Sequence, residues 1–258
     1  MDIRRDGTID LEHLKELLRP DTIAVAVTLV DSELGVVQPV KEISEILQAW
    51  PNCHLHVDAT QAVGKIPVSF EGVDTMSLTA HKFYGLNGIG LLLKRRRLAL
   101  DPLIHGGEST TIYRSGTPTV ALAASLETAL NSAVNELPER SARVKEANLY
   151  LRTALSKYPK VRINSPENAV PEVLNFSEMC IKSETMLAFL AEEQIYVSSA
   201  SACGRGQPSH TLAAMGRDPL AIDTAIRVSF CADNTPEDVD AFLERFEDGM
   251  KHLQRIKK

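Results

Sequence analysis

Ile23-Ala24-Val25-Ala26-Val27-Thr28-Leu29-Val30 is a near-continuous apolar run rich in β-branched side chains, the pattern of a strand buried on both faces. Upstream of it, Leu11, Leu14, Leu17 and Leu18 fall at helical spacing between Asp10 and Arg19, and Pro20 marks the stop. Downstream, Pro39 opens a second helix that carries Val40, Ile43, Ile46 and Leu47 on one side and reaches about Trp50. His54-Leu55-His56-Val57 predicts a second strand, ending at Asp58. Val73 to Leu78 predicts a third, ending just before His81-Lys82, and Gly88 to Leu93 a fourth. Strand, helix, strand, then strands joined by compact turns predict an α/β fold with a mostly parallel sheet and flanking helices.

After Gly107 the texture changes. Val120 to Leu137 reads as a long helix of small and aliphatic residues, and Pro138 starts a more charged one reaching about Tyr158. Short strands are expected near Arg162–Ile163 and Val173–Phe176, with a helix over Glu184–Glu193. Strands follow near Tyr196–Ser198 and Ala225–Phe230, and Pro236 opens a final amphipathic helix with Val239, Phe242, Phe246 and Leu253. A boundary near Pro138 divides a larger α/β domain, residues 1–137, from a smaller α+β domain, residues 138–258.

The 258 residues are 44% hydrophobic and 24% charged, the balance of a chain that can bury a globular core. A net charge of −6 gives no general polyanion surface, so nucleic acid is not an expected partner. The basic run Lys94-Arg95-Arg96-Arg97 is short and reads as a solvated strand end. No apolar stretch has membrane-spanning length, and Met1 to Gly7 lacks the apolar core of a signal peptide. Cys53, Cys180, Cys203 and Cys231 are scattered without C-x-x-C spacing, against a zinc site or a disulfide scaffold. A reducing, cytoplasmic compartment is the expectation.

Two segments stand at the carboxyl ends of expected parallel strands, where open α/β sheets bind ligands. One is His56-Val57-Asp58-Ala59-Thr60-Gln61; the other is Ser77-Leu78-Thr79-Ala80-His81-Lys82-Phe83-Tyr84-Gly85. A carboxylate on one strand tip and a lysine on a later one is what pyridoxal-phosphate (PLP) chemistry requires. The amine holds the cofactor covalently, and the carboxylate keeps the pyridine nitrogen protonated so the ring can accept electrons.

These two segments, with Gly88-Ile89-Gly90 and with Arg114-Ser115-Gly116-Thr117 after His105-Gly106-Gly107, resemble the signature of class V aminotransferases. Within that superfamily the chain is most similar to cysteine desulfurases of the iron–sulfur assembly type. Ser201-Ala202-Cys203 followed by Pro208-Ser209-His210 resembles their persulfide loop, and Ile226-Arg227-Val228-Ser229-Phe230 their substrate-carboxylate strand. The resemblance runs from about Asp6 to Phe246. It implies a PLP-transferase large domain, present in part, and a homodimer. It also implies that L-cysteine is converted to L-alanine, with the sulfur passed to an acceptor protein. Lys82 would hold the cofactor and move the proton, Asp58 would pair with the pyridine nitrogen, and Gln61 would bond the ring hydroxyl. Thr79 and His81 would reach the phosphate, and Thr117 the phosphate bound by the partner subunit. Arg227 would clamp the cysteine carboxylate, a bidentate task suited to a guanidinium. Cys203 would take the sulfur; its small, polar, glycine-bearing surroundings and nearby Arg205 favour an exposed thiolate. Cys53 and Cys231 read as core or near-core filler.

The sequence departs from that pattern in three places. Full-length relatives carry roughly a hundred further residues ahead of this segment, about one domain's worth of chain, including the phosphate turn and the residue that stacks on the ring. Asp31-Ser32-Glu33-Leu34-Gly35 stands where the family usually has Asn-Asn-Glu-x-Gly, so Ser32 replaces an amide expected to touch the cofactor. The Cys203–Pro208 loop is a couple of residues shorter than in many relatives, roughly a small turn's worth. Two alternatives therefore stand beside the desulfurase: another class V activity (aminotransferase or selenocysteine lyase), and a weak or inactive remnant that folds and dimerises.

Overall fold

The structure, a computed structural model, describes residues 1–107, 111–199 and 208–256. In chain order its first elements are α1 (Leu11–Leu17), β1 (Ala24–Thr28), α2 (Val40–Leu47), β2 (His54–Asp58) and β3 (Thr75–Thr79). A 3-10 turn, Ala80–Lys82, and β4 (Gly90–Lys94) follow, then the long helices α3 (Val120–Asn135) and α4 (Leu137–Leu155). The remainder is β5 (Arg162–Ile163), β6 (Val173–Ser177), α5 (Ser183–Ala191), α6 (His210–Ala214), α7 (Pro219–Asp223), β7 (Ala225–Ser229) and α8 (Pro236–His252). No helix among the described residues is long and apolar enough to cross a membrane.

The chain divides into two compact units, one of Arg19–Leu29 with Val40–Leu137, the other of Met1–Leu18, Val30–Pro39 and Pro138–Lys258. One switch between the units falls at Leu137–Pro138. Residues 1–18 and 30–39, which the sequence groups with the larger domain, belong to the unit built mainly from the C-terminal half.

The first unit holds a four-stranded sheet in the order β1-β2-β3-β4. β1, β2 and β3 run parallel and β4 is antiparallel to β3, so the α/β, mostly parallel expectation holds. Val25, Val27, Leu55, Val57, Met76 and Leu78 are buried on one face. The register sets Thr28 beside Asp58 and Asp58 beside Ser77, so the opposite face carries small and polar side chains. β1 is not buried on both faces, contrary to its apolar run: Ala24, Ala26 and Thr28 are exposed and only the valines face the core. A run that is apolar at every position has no period from which one-sided burial could be read. The basic run after β4 is also less free than expected. Lys94 Nζ donates to the carbonyls of Arg95 and Leu98, Arg95 Nε donates to Val73 O at 2.9 Å, and Arg97 pairs with Asp74 at 3.0 Å.

α3 explains its small residues by what it touches. A Cβ on Gly64 (φ +78°) would lie 3.2 Å from the Ala133 Cβ and 3.3 Å from the Phe83 Cβ. A Cβ on Gly85 would lie 2.6 Å from the Ala80 Cβ and 3.1 Å from that of Ala129. Alanines on the helix and glycines on the loops let α3 sit directly against the turn that ends in Lys82. Phe83, only 2% exposed, anchors that turn from below.

The second unit is built on the antiparallel sheet β5-β6-β7. β6 is buried at every position. Phe176 makes edge contacts with Phe242 and Phe246, with ring centroids 6.4 and 5.7 Å away, and Phe242 stacks on Phe246. The polar members of β6 are satisfied internally: Asn164 Nδ2 donates to Asn175 Oδ1 and Ser177 Oγ, and Asn175 N donates to Ser165 Oγ. α8 starts at a full capping box, Thr235 with Asp238, and has Pro236 in its first turn. A smaller cluster of Leu34, Val36, Leu212, Met215 and Ala225 fastens the 31–36 turn to α6 and β7. The strand expected at Tyr196–Ser198 reduces to a single bridge between Ser198 and Arg227.

Candidate functional site

Two groups of sequence-nominated residues emerge, one in each unit. In the first unit, Asp58 closes β2 and Thr79 closes β3, neighbouring parallel strands whose carboxyl ends lie side by side. Asp58 Oδ1 accepts from Thr60 N at 2.8 Å, a turn that lifts the chain off the strand and leads to half-buried Gln61. The Asp58 backbone carbonyl accepts from Leu29 N at 2.8 Å, which ties the tip to β1. Thr79 lies on the same polar sheet face as Asp58, as the two-residue alternation from Ser77 requires.

Thr79 Oγ1 donates to Ile89 O at 3.1 Å and lies 3.0 Å from His81 Nδ1. Because the single hydroxyl proton goes to the carbonyl, the imidazole Nδ1–H is the donor of the second bond. Lys82 ends the 3-10 turn, is exposed, and makes no hydrogen bond or ion pair among the described residues. Tyr84 (φ +68°) then reverses the chain towards Gly88-Ile89-Gly90. A Cβ on Gly90 would sit 3.0 Å from Leu78 O, so the close pairing of β4 with β3 depends on glycine there. Thr117 is exposed, three residues ahead of α3.

In the second unit, Arg227 on β7 donates from Nη1 to the backbone carbonyl of Ser32 at 3.0 Å. Its backbone N–H and C=O both pair with Ser198. Burial lowers the pKa of the guanidinium, and the Glu33 and Asp31 carboxylates oppose that shift. Arg227 Nε is buried and unpartnered. Ser32, nominated as a cofactor contact, thus meets Arg227 through its main chain. Cys203, the nominated sulfur acceptor, lies outside the described residues. Cys53 and Cys180 are buried and Cys231 is half-buried; burial raises the Cys53 pKa, the state of an inert thiol.

Glu33 received no role from the sequence. It is 6% exposed, and burial raises the pKa of its carboxyl, with Asp31 adding to that rise and Ser209, Arg227 and His210 opposing it. Its only sequence signal was its place inside the Asp31–Gly35 stretch; Ser209, His210 and Arg227 lie 176, 177 and 194 positions away.

The architecture, a mostly parallel α/β sheet with a separate small antiparallel unit, is that of NifS-like proteins. A solved NifS-like protein superposes with a TM-score of 0.90 at 34% identity, over 98% of this chain and 67% of that one. A NifS-like protein from Rickettsia africae gives 0.89 at 28% identity, over 97% and 69%. The aminotransferase class-V family model matches residues 1–242, and the chain belongs to that family. A NifS/IcsS protein homolog of Lactobacillus delbrueckii subsp. bulgaricus is 36% identical, over 98% of this chain and 68% of its own length. The cysteine desulfurase IscS of Dictyoglomus turgidum is 34% identical, over 98% and 66%. The chain therefore spans about two thirds of the length of the curated relatives it matches.

The family is PLP-dependent, and the residues present fit that group by their chemistry. An unengaged amine, a carboxylate, a hydroxyl and an imidazole stand at the ends of adjacent parallel strands, on backbone fixed by Gly85 and Gly90.

Proposed function

We propose that this chain is the lysine- and arginine-bearing portion of a PLP-dependent cysteine desulfurase that converts L-cysteine to L-alanine and passes the sulfur to an acceptor protein. The carrying observation is the placement of Asp58 and the Thr79–Lys82 turn at the ends of neighbouring parallel strands, in a chain of this family. When bound, the cofactor supplies an electron-accepting ring. Lys82 Nζ holds it covalently and then moves the proton at the substrate Cα. Asp58 keeps a proton on the ring nitrogen, and Gln61 and Ser32 address the ring hydroxyl. Thr79, His81 and, from a partner subunit in a homodimer, Thr117 address the phosphate. Arg227 orients the cysteine carboxylate. The Cys203 thiolate attacks the substrate sulfur; an S–S bond forms as the Cβ–S bond breaks, and the alanine carbon takes up a proton.

Added PLP should give the purified chain a visible absorption band that Lys82→Ala abolishes and Asp58→Asn weakens. Sulfide release from cysteine in the presence of a thiol should disappear in Cys203→Ser. A band that survives Lys82→Ala sinks the assignment of the lysine, and release that survives Cys203→Ser sinks the persulfide step in favour of another class V activity. The two-thirds coverage of the relatives favours one further reading, a chain that folds yet turns over nothing alone. Turnover that appears only on mixing with the remaining third of the Dictyoglomus turgidum relative would establish it.

A further inference from the structure

Asn175 is a fully buried amide at the middle of β6, a place that an apolar side chain would fill at less cost. β6 and β7 turn Leu174, Phe176, Ile226 and Val228 towards the phenylalanine core. The two-residue alternation puts Asn175 and Arg227 on the other face, the one on which Ala225 packs against Leu34 and Val36. Both ends of the amide are engaged there. Oδ1 accepts from Asn164 Nδ2 at 2.9 Å, which orients the group, and Nδ2 donates to Glu33 O at 3.4 Å.

The strand register brings this amide to the arginine. Asn175 and Arg227 are direct partners across β6 and β7. Neither spends its backbone on the other: Arg227 N and O pair with Ser198, while Asn175 O accepts from Asn164 N and Ser165 N, and Asn175 N donates to Ser165 Oγ. In an antiparallel sheet such a non-hydrogen-bonded pair has its side chains at their closest approach. The two side chains then reach consecutive carbonyls of one turn. Arg227 Nη1 donates to Ser32 O at 3.0 Å, and Asn175 Nδ2 donates to Glu33 O. The turn's other ties are to Asp31 Oδ1, which accepts from Glu33 N and Leu34 N, and from Val170 N to Gly35 O at 2.8 Å. None of those stands beside the arginine in the sheet.

We propose that Asn175 is a positioning residue for Arg227: its amide holds the turn whose Ser32 carbonyl engages Nη1, and so leaves the rest of the guanidinium aimed at a ligand carboxylate. Arg227 Nε, buried and without a partner among the described residues, is the donor left over for that ligand. What Arg227 binds rests on the proposed function; that Asn175 positions it does not.

The test uses the full 15N-labelled chain, with the Arg227 Nε–H resonance assigned as the one lost in Arg227→Lys. Asn175→Leu keeps the volume and removes the tie to Glu33 O. Its Arg227 Nε–H resonance should move and exchange faster with water. L-Alanine, the carboxylate probe titrated against that resonance, should bind about tenfold more weakly, the worth of one hydrogen bond. Ser177→Ala is the control: Ser177 Oγ shares the Asn164 amide and bonds Ala221 O, two residues along the strand from Asn175. It should lower the unfolding midpoint and leave both the resonance and the alanine affinity unchanged. An Asn175→Leu variant with the wild-type resonance and affinity overturns the proposal, whatever its unfolding midpoint. So does a Ser177→Ala variant that moves both as far as Asn175→Leu, because the buried network as a whole would then be what the arginine feels. If Asn175→Leu does not fold, Asn175→Ser, which keeps an acceptor for Asn164 and is too short to reach Glu33 O, takes its place in both comparisons. If alanine leaves the wild-type resonance unmoved, the carboxylate-binding role of Arg227 falls, and the position and exchange of the resonance still decide the role of Asn175.

Discussion

Replacing Glu178 with glutamine should remove most of the pH dependence of folding in the unit that contains β5–β7. Glu178 is fully buried just past β6, and its carboxylate accepts from the backbone amides of Cys180 and Ile181. Burial pushes its pKa up to about 7, against the pull of those two amides and of Arg255 and Lys160. In the unfolded chain the group titrates near its ordinary 4.5. A folded pKa above the unfolded one means that the protonated form is favoured by folding. The stabilisation is complete below about pH 4.5 and is lost as pH rises through about 7. The difference between those values corresponds to a loss on the order of 3 kcal/mol between pH 4.5 and 8. Glutamine keeps an oxygen acceptor for one amide and carries no charge. It gives up the second bond, at about 1 kcal/mol, so at pH 8 the variant should be more stable than the wild type by roughly 2 kcal/mol. Urea unfolding followed by far-ultraviolet circular dichroism at pH 5, 6, 7 and 8 reads this directly. Trp50, the only tryptophan, lies in the other unit and serves as an internal control. A glutamine variant with the same slope of stability against pH as the wild type would refute the reasoning.

Three further outcomes follow from packing and turn geometry. Phe246→Ala removes a fully buried ring that touches Tyr158, Phe176 and Phe242; it should cost about 3–5 kcal/mol in urea unfolding of its unit. Thr235→Ala breaks the capping box of α8 and should cost about 1 kcal/mol, with increased hydrogen exchange confined to the first turn of that helix. Gly85→Ala places a Cβ 2.6 Å from that of Ala80, which must shift the turn ending in Lys82. It should weaken PLP retention, measured by the absorption band after dialysis, while Trp50 still reports a folded unit.

The sequence yielded most where local signals suffice. β2 ends at Asp58, β6 covers Val173–Phe176 and α8 opens at Pro236, as the short apolar runs and the proline indicate. The two short helices α6 and α7 escaped although their caps were visible: Ser209 bonds Leu212 N, and Asp218 bonds Ala221 N just ahead of Pro219. Five-residue helices show too little period for their apolar pattern to stand out. The one-sided burial of β1 was hidden for a related reason, since alanine and valine both count as apolar and only size separates them. The grouping of residues 30–39 with the C-terminal unit was out of reach altogether. It depends on contacts such as Arg227 Nη1 to Ser32 O, 195 positions apart.

That distance also separates the two kinds of nominated site. Asp58, Thr79 and Lys82 are legible because strand pairing turns short motifs into a place: with Val57 and Met76 held in the core, the register fixes which side chains face outward together. Arg227 is different. It lies on the middle of a strand, half-buried, and its surroundings come from the Asp31–Gly35 turn and from Ser198. A motif match can nominate such a residue and cannot show what holds it. The chemistry of the strand tips should therefore tolerate changes elsewhere in their unit that spare the sheet register. The arginine should be sensitive to substitutions in the Asp31–Gly35 turn that never touch a ligand, because the Ser32 carbonyl that it bonds is presented by that turn.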